Sequence, residues 1–217
     1  MPIRRSFSLF LRLLGATLLL VSARPALAGP DFWTLSMVWS PEYCNSNLTS
    51  KEPQCVEERY FTLYSLIPNY LAKAPACTDS RLDEDDIVRW FAVIPNRARI
   101  NRVWKNEGAC SGLDQREYFV QMERANRRLL IPERYAAVET KIDVSREEFR
   151  QAFIRENPGL SRESMALRCH GRWLSEVQVC LNSDFSFRDC GLPENCKEQI
   201  RIRPLRKSRE GLVPTYR

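Results

Sequence analysis

The spacing of hydrophobic and polar residues predicts strands near both ends of the chain and helices between them. Residues 32–39 alternate as a half-buried strand does, and residues 59–67 form a second such run that Pro68 is expected to end. Residues 165–168 and 173–181 have the pattern of an antiparallel hairpin. This distribution predicts an α+β fold in which helices pack on an antiparallel sheet.

Three stretches in the middle of the chain have helical patterns. An acidic run over residues 83–86 precedes an apolar stretch, and the amino end of a helix favours such negative charge. From Gly112 to Leu129, apolar residues recur at steps of three and four. The sequence Ser145-Arg146-Glu147-Glu148 is typical of a capped helix start, and residues 157–159 are expected to end that helix.

Residues 1–28 are predicted to be a cleaved signal peptide. Arginines precede and enter an apolar run, no acidic residue occurs before Asp31, and Ala26-Leu27-Ala28 has the small residues that signal peptidase requires. The apolar run is too short for a transmembrane helix, which needs about 20 residues. The exported chain then begins at Gly29. Two adjacent arginines leave open whether the general secretory or the twin-arginine route is used.

Removal of the signal peptide changes the charge of the chain. The full sequence has 33 basic and 27 acidic side chains and a formal net charge of +6. Residues 1–28 carry four arginines and no acid, so the exported chain keeps +2, and the basic excess lies after Cys196. Bulk charge therefore does not predict binding to polyanions. We expect one domain over residues 29–204 and a flexible basic tail over residues 205–217.

All eight cysteines follow the predicted cleavage site. An even number of cysteines in an exported chain indicates four disulfides, whose connectivity the spacing leaves open. There is no Cys-x-x-Cys pair, and the one histidine, His170, is expected on the surface of the hairpin, so the sequence predicts neither a metal site nor a cofactor. Disulfides indicate an oxidising compartment, either the periplasm or the medium outside the cell.

Five blocks of the sequence, in order, resemble motifs of the ribonuclease T2 family, the secreted endoribonucleases that cleave RNA through a 2′,3′-cyclic phosphate. The blocks are Trp39-Ser40-Pro41-Glu42-Tyr43-Cys44, residues 61–70, residues 102–113, the pairs Tyr118-Phe119 and Ile131-Pro132, and residues 169–196. This resemblance covers residues 32 to 204 and implies the α+β fold of that family. It also implies the disulfides Cys44–Cys55, Cys77–Cys110, Cys169–Cys196 and Cys180–Cys190.

The chain departs from the family at the residues that carry its chemistry. Two histidines act there as acid and base, because an imidazole pKa near 6.5 allows either protonation state near neutrality. In this chain those two positions are Tyr64 and Glu107. The positions of a further histidine, a glutamate and a lysine of the motif are Arg102, Val103 and Asn106. The resemblance therefore implies that the chain keeps the scaffold of the family and lacks the two histidines that act as its acid and base.

Basic residues near these positions are the remaining candidates for ligand binding. They are Arg97, Arg99, Arg102 and Lys105, with Trp90, Phe91 and Trp104 close in sequence. Such a set can hold a phosphate or a stacked base, or it can be a charged helix face above packed aromatic rings. Two alternatives also apply to the basic residues near the carboxyl end. They can contact a polyanion or an anionic membrane, or they can form a solubilising end; the residues are Arg201, Arg203, Arg206, Lys207 and Arg209.

Three functions remain open at this stage. The missing histidines favour a pseudo-ribonuclease that binds RNA, a nucleotide or an envelope protein without efficient cleavage. A divergent, metal-independent endoribonuclease would use Glu107 and Tyr64 around a phosphate held by Arg102 and Lys105. A structural or inhibitory periplasmic protein would have its cleft closed by Ile67 and Tyr64. In each case we expect a monomer that meets membranes only through its signal peptide or tail.

Overall fold

A computed structural model describes residues 29–48, 50–57 and 59–205. The predicted signal peptide, residues 1–28, and all but the first residue of the predicted tail, residues 206–217, lie outside this part of the chain. Among the described residues, no helix combines the length and the apolar character that crossing a membrane requires.

Six strands form one sheet. They are β1 (Phe32–Trp39), β2 (Phe61–Asn69), β3 (Ile142–Ser145), β4 (Met165–His170), β5 (Trp173–Asn182) and β6 (Gln199–Ile202). The order across the sheet is β2-β1-β5-β6-β3, and β4 pairs with β5. All pairings are antiparallel except that of β5 with β6. The α+β class predicted from the sequence is confirmed.

Seven α-helices and a 3-10 turn accompany the sheet within the described residues. The helices are α1 (Ser40–Ser46), α2 (Pro53–Val56), α3 (Glu84–Phe91), α4 (Arg97–Asn106), α5 (Gln115–Arg128), α6 (Glu133–Ala136) and α7 (Arg146–Glu156), and the 3-10 turn is Gly108–Cys110. The long helix predicted after Gly112 is α5, and its capping box is formed by Asp114 and Glu117. At α7 only half of the predicted box is present, since Ser145 Oγ accepts the backbone N–H of Glu148 at 3.0 Å.

The alternation along β1 separates an apolar face from a polar one. Trp33, Leu35 and Trp39 point into the core, where Trp33 lies 6.4 Å from the Tyr118 ring of α5, measured between ring centroids. Ser36 points to the other face and is also buried. The aromatic core continues to α7, whose Phe153 ring makes an edge contact with the ring of Phe61 on β2.

The prediction that Pro68 ends the second strand is wrong. Strand β2 runs through Pro68 to Asn69, with Pro68 paired opposite Trp33. β2 is the edge strand of the sheet, so the N–H that proline lacks is not needed by a further strand.

Part of the basic carboxyl-terminal region belongs to the folded domain. Strand β6 buries Ile200 and Ile202 completely. Arg201 forms an ion pair with Asp143, and Arg203 Nε donates to Glu42 Oε2 at 2.6 Å. These two arginines are therefore parts of the folded domain, and the alternative that they belong to a solubilising end is wrong.

Four disulfides connect the loops to the sheet and helices. They are Cys44–Cys55, Cys77–Cys110, Cys169–Cys196 and Cys180–Cys190. These are the pairs implied by the family resemblance, and they use every cysteine in the chain. Each closed loop contributes about 2–4 kcal/mol to stability, chiefly by restricting the unfolded chain.

Candidate functional site

Helix α4 brings the start of the sequence block 102–113 to the sheet. Asn96 caps it, with Oδ1 accepting the backbone N–H of Arg99 at 2.8 Å. Ile100, Val103 and Trp104 form its buried face, and the indole N–H of Trp104 donates to the carbonyl of Ser80 at 2.8 Å. Val103 and Trp104, both predicted as site residues, are thus core residues. The idea that Trp104 stacks on a ligand is wrong, because its ring is enclosed by protein.

The chain turns sharply where α4 ends, and Gly108 makes that turn possible. A Cβ atom at Gly108 would lie 2.7 Å from Cδ1 of Tyr118 and closer still to the Trp104 ring. Only glycine lets the backbone approach these rings so closely. The turn places the side chain of Glu107 beside the hydroxyl of Tyr118.

Glu107 is the most perturbed acidic group of the site. Burial raises its pKa from 4.5 to about 7, and the negative charge of Glu176 acts in the same direction. The positive charge of Arg99 and a hydrogen bond from Tyr118 oppose the rise. That hydrogen bond is long, 3.4 Å to Oε2, whereas the same hydroxyl lies 2.8 Å from the carbonyl oxygen of Leu66. Near neutral pH, Glu107 therefore exchanges a proton readily.

Tyr64 lies at an irregularity in the edge strand. Ser65 pairs with Ser36 and Leu63 pairs with Met37, so Tyr64 is the extra residue of a β-bulge. Bulges re-aim side chains, and they occur often beside active sites. The guanidinium carbon of Arg99 lies 3.4 Å from the centroid of the half-buried Tyr64 ring. Arg99 therefore connects the two positions at which the family has its histidines.

The other site candidates on α4 separate into groups around the helix. Arg102 and Asn106 are exposed, and their spacing from Arg99 places the three along one edge of the helix. Arg97 lies on a different side and forms an ion pair with Glu84. Lys105 is exposed and lies between these two sides. The structure thus groups Arg99, Arg102, Asn106, Tyr64 and Glu107 and leaves Arg97 out of the site.

Two residues at the site were not among the sequence candidates. Tyr118 and Glu176 appeared only as parts of family blocks, and Glu176 reaches the site from β5, far away in sequence. Glu176 accepts hydrogen bonds from Ser36 Oγ and from Gln178 Nε2, the latter at 2.6 Å. These contacts lie on the polar face of the sheet.

The remaining sequence candidates lie away from this group. Trp90 stacks on Phe119 in the core, with 5.3 Å between ring centroids, so it is not free to stack on a base. His170 lies at the end of β4, mostly exposed, with Nδ1 3.7 Å from Glu42 Oε1. Among the residues that the structure describes, no cluster of His, Cys, Asp or Glu side chains is arranged to hold a metal ion.

The fold is ribonuclease T2-like, and the resemblance noted in the sequence is confirmed. The sequence is 28% identical over 159 residues to a protein of Aeromonas hydrophila named ribonuclease, covering 71% of this chain and 73% of that protein. No protein-family model matches the chain.

Solved structures of ribonucleases and of an RNase-related protein share the fold. Trichomaglin, described as an S-like ribonuclease, aligns with a TM-score of 0.63 at 17% identity, over 81% of this chain and 98% of its own. An RNase-related protein from Calystegia sepium aligns with a TM-score of 0.63 at 18% identity, over 82% of this chain and 98% of its own. A variant of RNase MC1 solved with 5′-UMP aligns with the same score at 20% identity, over 80% of this chain and 98% of its own.

Proposed function

We propose that this protein binds RNA or a nucleotide at the surface around Tyr64, Arg99, Arg102, Asn106 and Glu107, where the resemblance implies the cleft of the family, and that it cleaves RNA inefficiently or not at all. One observation carries the proposal: at the two histidine positions of the family, one group is a phenol stacked beneath an arginine and the other is a carboxyl. Cleavage through a cyclic phosphate needs both a base and an acid.

Tyr64 is a poor replacement for an imidazole. A phenol has one oxygen for proton transfer, whereas the two ring nitrogens of an imidazole let it accept one proton while it holds another. Glu107 alone can then supply one of the two proton transfers. An acid or a base each contributes about 10²–10⁴ in rate, so the loss of one partner removes most of the catalysis.

The basic edge of α4 supports binding of a phosphate. Arg102 forms no ion pair with an acidic side chain within the described residues, so its positive charge remains available to a ligand. The charge of Arg99 acts partly on Glu107. Arginine donors suit phosphate oxygens because they form charge-assisted, often bidentate hydrogen bonds. Two proteins of the same fold, RNase MC1 and RNase NT, have been solved with 5′-UMP and with 5′-AMP.

Calorimetric titration with a uridine dinucleotide tests the binding. We expect Arg102→Gln to weaken it roughly tenfold, since a hydrogen bond to a charged group contributes about 1.5–3 kcal/mol. Arg155→Gln, which removes an exposed arginine of α7, is the matched control and should leave affinity unchanged. If the wild-type protein does not bind the dinucleotide, or if both variants behave alike, the proposal is wrong.

A divergent endoribonuclease is the second candidate, and the raised pKa of Glu107 favours it. A carboxyl with a pKa of about 7 is matched to acid–base work near neutrality, as an imidazole is. Glu107 would take the proton of the 2′-hydroxyl as that oxygen attacks the phosphorus atom, and Tyr64 would donate a proton to the departing 5′-oxygen. Arg99 and Arg102 would stabilise the negative charge that develops on the phosphate.

An RNA cleavage assay between pH 4 and 8 with a chelator present separates the two candidates. Cleavage to 2′,3′-cyclic products that Glu107→Ala abolishes would establish the enzyme. No cleavage by the wild type, together with activity in the variant Tyr64→His/Arg102→His/Glu107→His, would establish the pseudoenzyme. The assay uses protein expressed with its disulfides formed.

A protein with a closed cleft, acting as a structural or inhibitory partner in the envelope, has less support. Tyr64 and Ile67 both keep part of their surface exposed, so these two side chains do not seal the cleft. None of the contacts described above supports a direct interaction with an envelope protein.

Export to the periplasm or the medium is part of the same proposal. The pairing of all eight cysteines supports it, because such disulfides persist in oxidising compartments. Fractionation of producing cells, followed by mass spectrometry of the protein, tests it. The expected species begins at Gly29, and a full-length cytosolic species would contradict export.

A further inference from the structure

A group of arginines lies over aromatic rings at the other end of helix α5 from Glu107. The guanidinium carbon of Arg128 lies 4.5 Å from the centroid of the Phe187 ring, and that of Arg124 lies 5.5 Å from the Phe185 ring. Arg188 lies over the ring of Phe32, at 4.4 Å. We call Arg124, Arg128 and Arg188, with these three rings, the arginine–phenylalanine patch.

The elements around β1 and β5 make this patch continuous. Arg124 and Arg128 are one helical turn apart, so their side chains lie next to each other on α5. Phe32 pairs with Asn182 at the start of β1, and the loop after Asn182 returns so that Phe187 forms a bridge with Leu181. Residues of three separate segments are thereby brought to one surface.

The patch carries more positive than negative charge. Within the described part of the chain, none of the three arginines forms an ion pair with an acidic side chain, whereas the neighbouring Arg127 pairs with Glu123. Hydrogen bonds from Ser186 lower the pKa of the exposed Asp184 nearby, and the charge of Arg128 acts in the same direction, so Asp184 offsets part of the charge of Arg128 only. Asp189 is hydrogen-bonded to serines 161 and 164. The patch therefore keeps an excess of positive charge.

Contact with the rings limits how the arginines can bind. Each guanidinium lies over a ring, so its N–H groups that point away from the ring remain available to a ligand. Their hydrogen bonds within the protein are long: 3.4 Å from Arg124 to Oε1 of Gln121, and 3.5 Å from Arg128 to the carbonyl of Pro158 and from Arg188 to the carbonyl of Asp189. Guanidinium edges held in fixed positions are suited to the oxygens of successive phosphates.

We propose that the arginine–phenylalanine patch is a second binding site for the phosphodiester backbone of single-stranded RNA, separate from the cleft. This inference rests on the proposed function, since it extends the same strand. Arg124 and Arg128 lie about 9 and 15 Å along α5 from Tyr118, which touches Glu107. A strand of several nucleotides spans that distance, whereas a dinucleotide in the cleft does not need the patch.

The test compares a long ligand with a short one. A labelled 2′-O-methyl oligouridylate, which resists cleavage, is titrated at several salt concentrations, and the dinucleotide is titrated in parallel. The patch variant is Arg124→Gln/Arg128→Gln/Arg188→Gln. A control variant removes the same charge elsewhere, at Arg81→Gln/Arg155→Gln/Arg172→Gln.

The patch variant should bind the oligonucleotide roughly tenfold more weakly, and the slope of log affinity against log salt should fall by about 2, as expected for three lost phosphate contacts on a single strand. Its affinity for the dinucleotide should not change. Phe187→Leu keeps the charge and removes one ring, and it should weaken oligonucleotide binding by a smaller factor.

Each other outcome is decisive. Equal oligonucleotide affinity in the patch and control variants would overturn the second site and leave the cleft proposal intact. Patch-dependent oligonucleotide binding without dinucleotide binding would support the second site and overturn the cleft. Binding to anionic lipid vesicles instead of the oligonucleotide would identify a membrane surface and overturn the RNA inference, as would absence of all oligonucleotide binding.

Discussion

Arg99 lies over the ring of Tyr64, with 3.4 Å between the guanidinium carbon and the ring centroid, and its charge also opposes the rise in the pKa of Glu107. One arginine of α4 is therefore coupled to both positions at which related ribonucleases have histidine. The pair explains why the cleft retains a positive charge although its proton-transfer groups are changed.

Removal of Arg99 should change the pKa of Glu107. The variant Arg99→Gln takes away a cation that stabilises the Glu107 carboxylate, so the pKa of Glu107 should rise above its value of about 7 in the wild type. An NMR titration of carbon-13-labelled glutamate side chains measures it. Arg97→Gln is the control, because Arg97 is paired with Glu84 instead. An unchanged titration of Glu107 in Arg99→Gln would contradict the coupling.

The raised pKa of Glu107 makes stability depend on pH. Its pKa is about 7 in the folded protein against an ordinary value of 4.5, so between these values the folded state keeps a proton that the unfolded state releases. Stability should therefore fall by about 3 kcal/mol as the pH rises from about 4.5 to 7, and then level off.

The variant Glu107→Gln removes this contribution. Chemical denaturation at a series of pH values should show that this part of the pH dependence is lost and that the variant is more stable than the wild type above pH 7. Glu139→Gln, on an exposed loop, is the control and should follow the wild-type curve. A Glu107→Gln protein with the wild-type pH dependence would show that Glu107 is not buried as described.

These effects could be predicted only in part from the sequence. The motif identified Glu107 as a changed histidine position, but its reference pKa gave no reason to expect acid–base capacity near pH 7. That property arises from burial at the turn after α4 and from the negative charge of Glu176 on β5, while Arg99 on α4 and Tyr118 on α5 oppose the rise of the pKa. A local sequence pattern does not report how much water a side chain loses when the chain folds.

Gly108 should tolerate no side chain. The variant Gly108→Ala places a Cβ atom 2.7 Å from the Tyr118 ring and closer to that of Trp104, so two core rings must move. We expect a loss of about 1–3 kcal/mol in the free energy of unfolding, measured by denaturation. Gly29→Ala, which meets open space, is the control. A fully stable Gly108→Ala protein would mean that these rings pack differently.

A buried ion pair holds the loop that contains the last two cysteines. The side chain of Arg150 is 3% exposed, and its Nη2 lies 2.5 Å from Glu194 Oε1. The variant Arg150→Met leaves Glu194 with Arg146 as its remaining charged partner and should cost about 3 kcal/mol, measured by thermal or chemical denaturation. Arg134→Met breaks the exposed pair with Glu148 and should cost less than about 1 kcal/mol. Equal losses would contradict the burial of Arg150.

The sequence by itself determined the strand from Phe32 to Trp39, the helix after Gly112, the α+β class and, through the family resemblance, the four disulfides. These features follow from residues that are neighbours in the chain or from motifs of fixed spacing. Tertiary structure alone decided that Pro68 continues an edge strand, that Trp90 and Trp104 belong to the core, and that Arg97 lies outside the site. It also brought Arg99 onto Tyr64 and three arginines onto phenylalanine rings of distant segments. Burial and Coulomb interactions depend on distances in space, and the fold sets those distances between residues far apart in sequence.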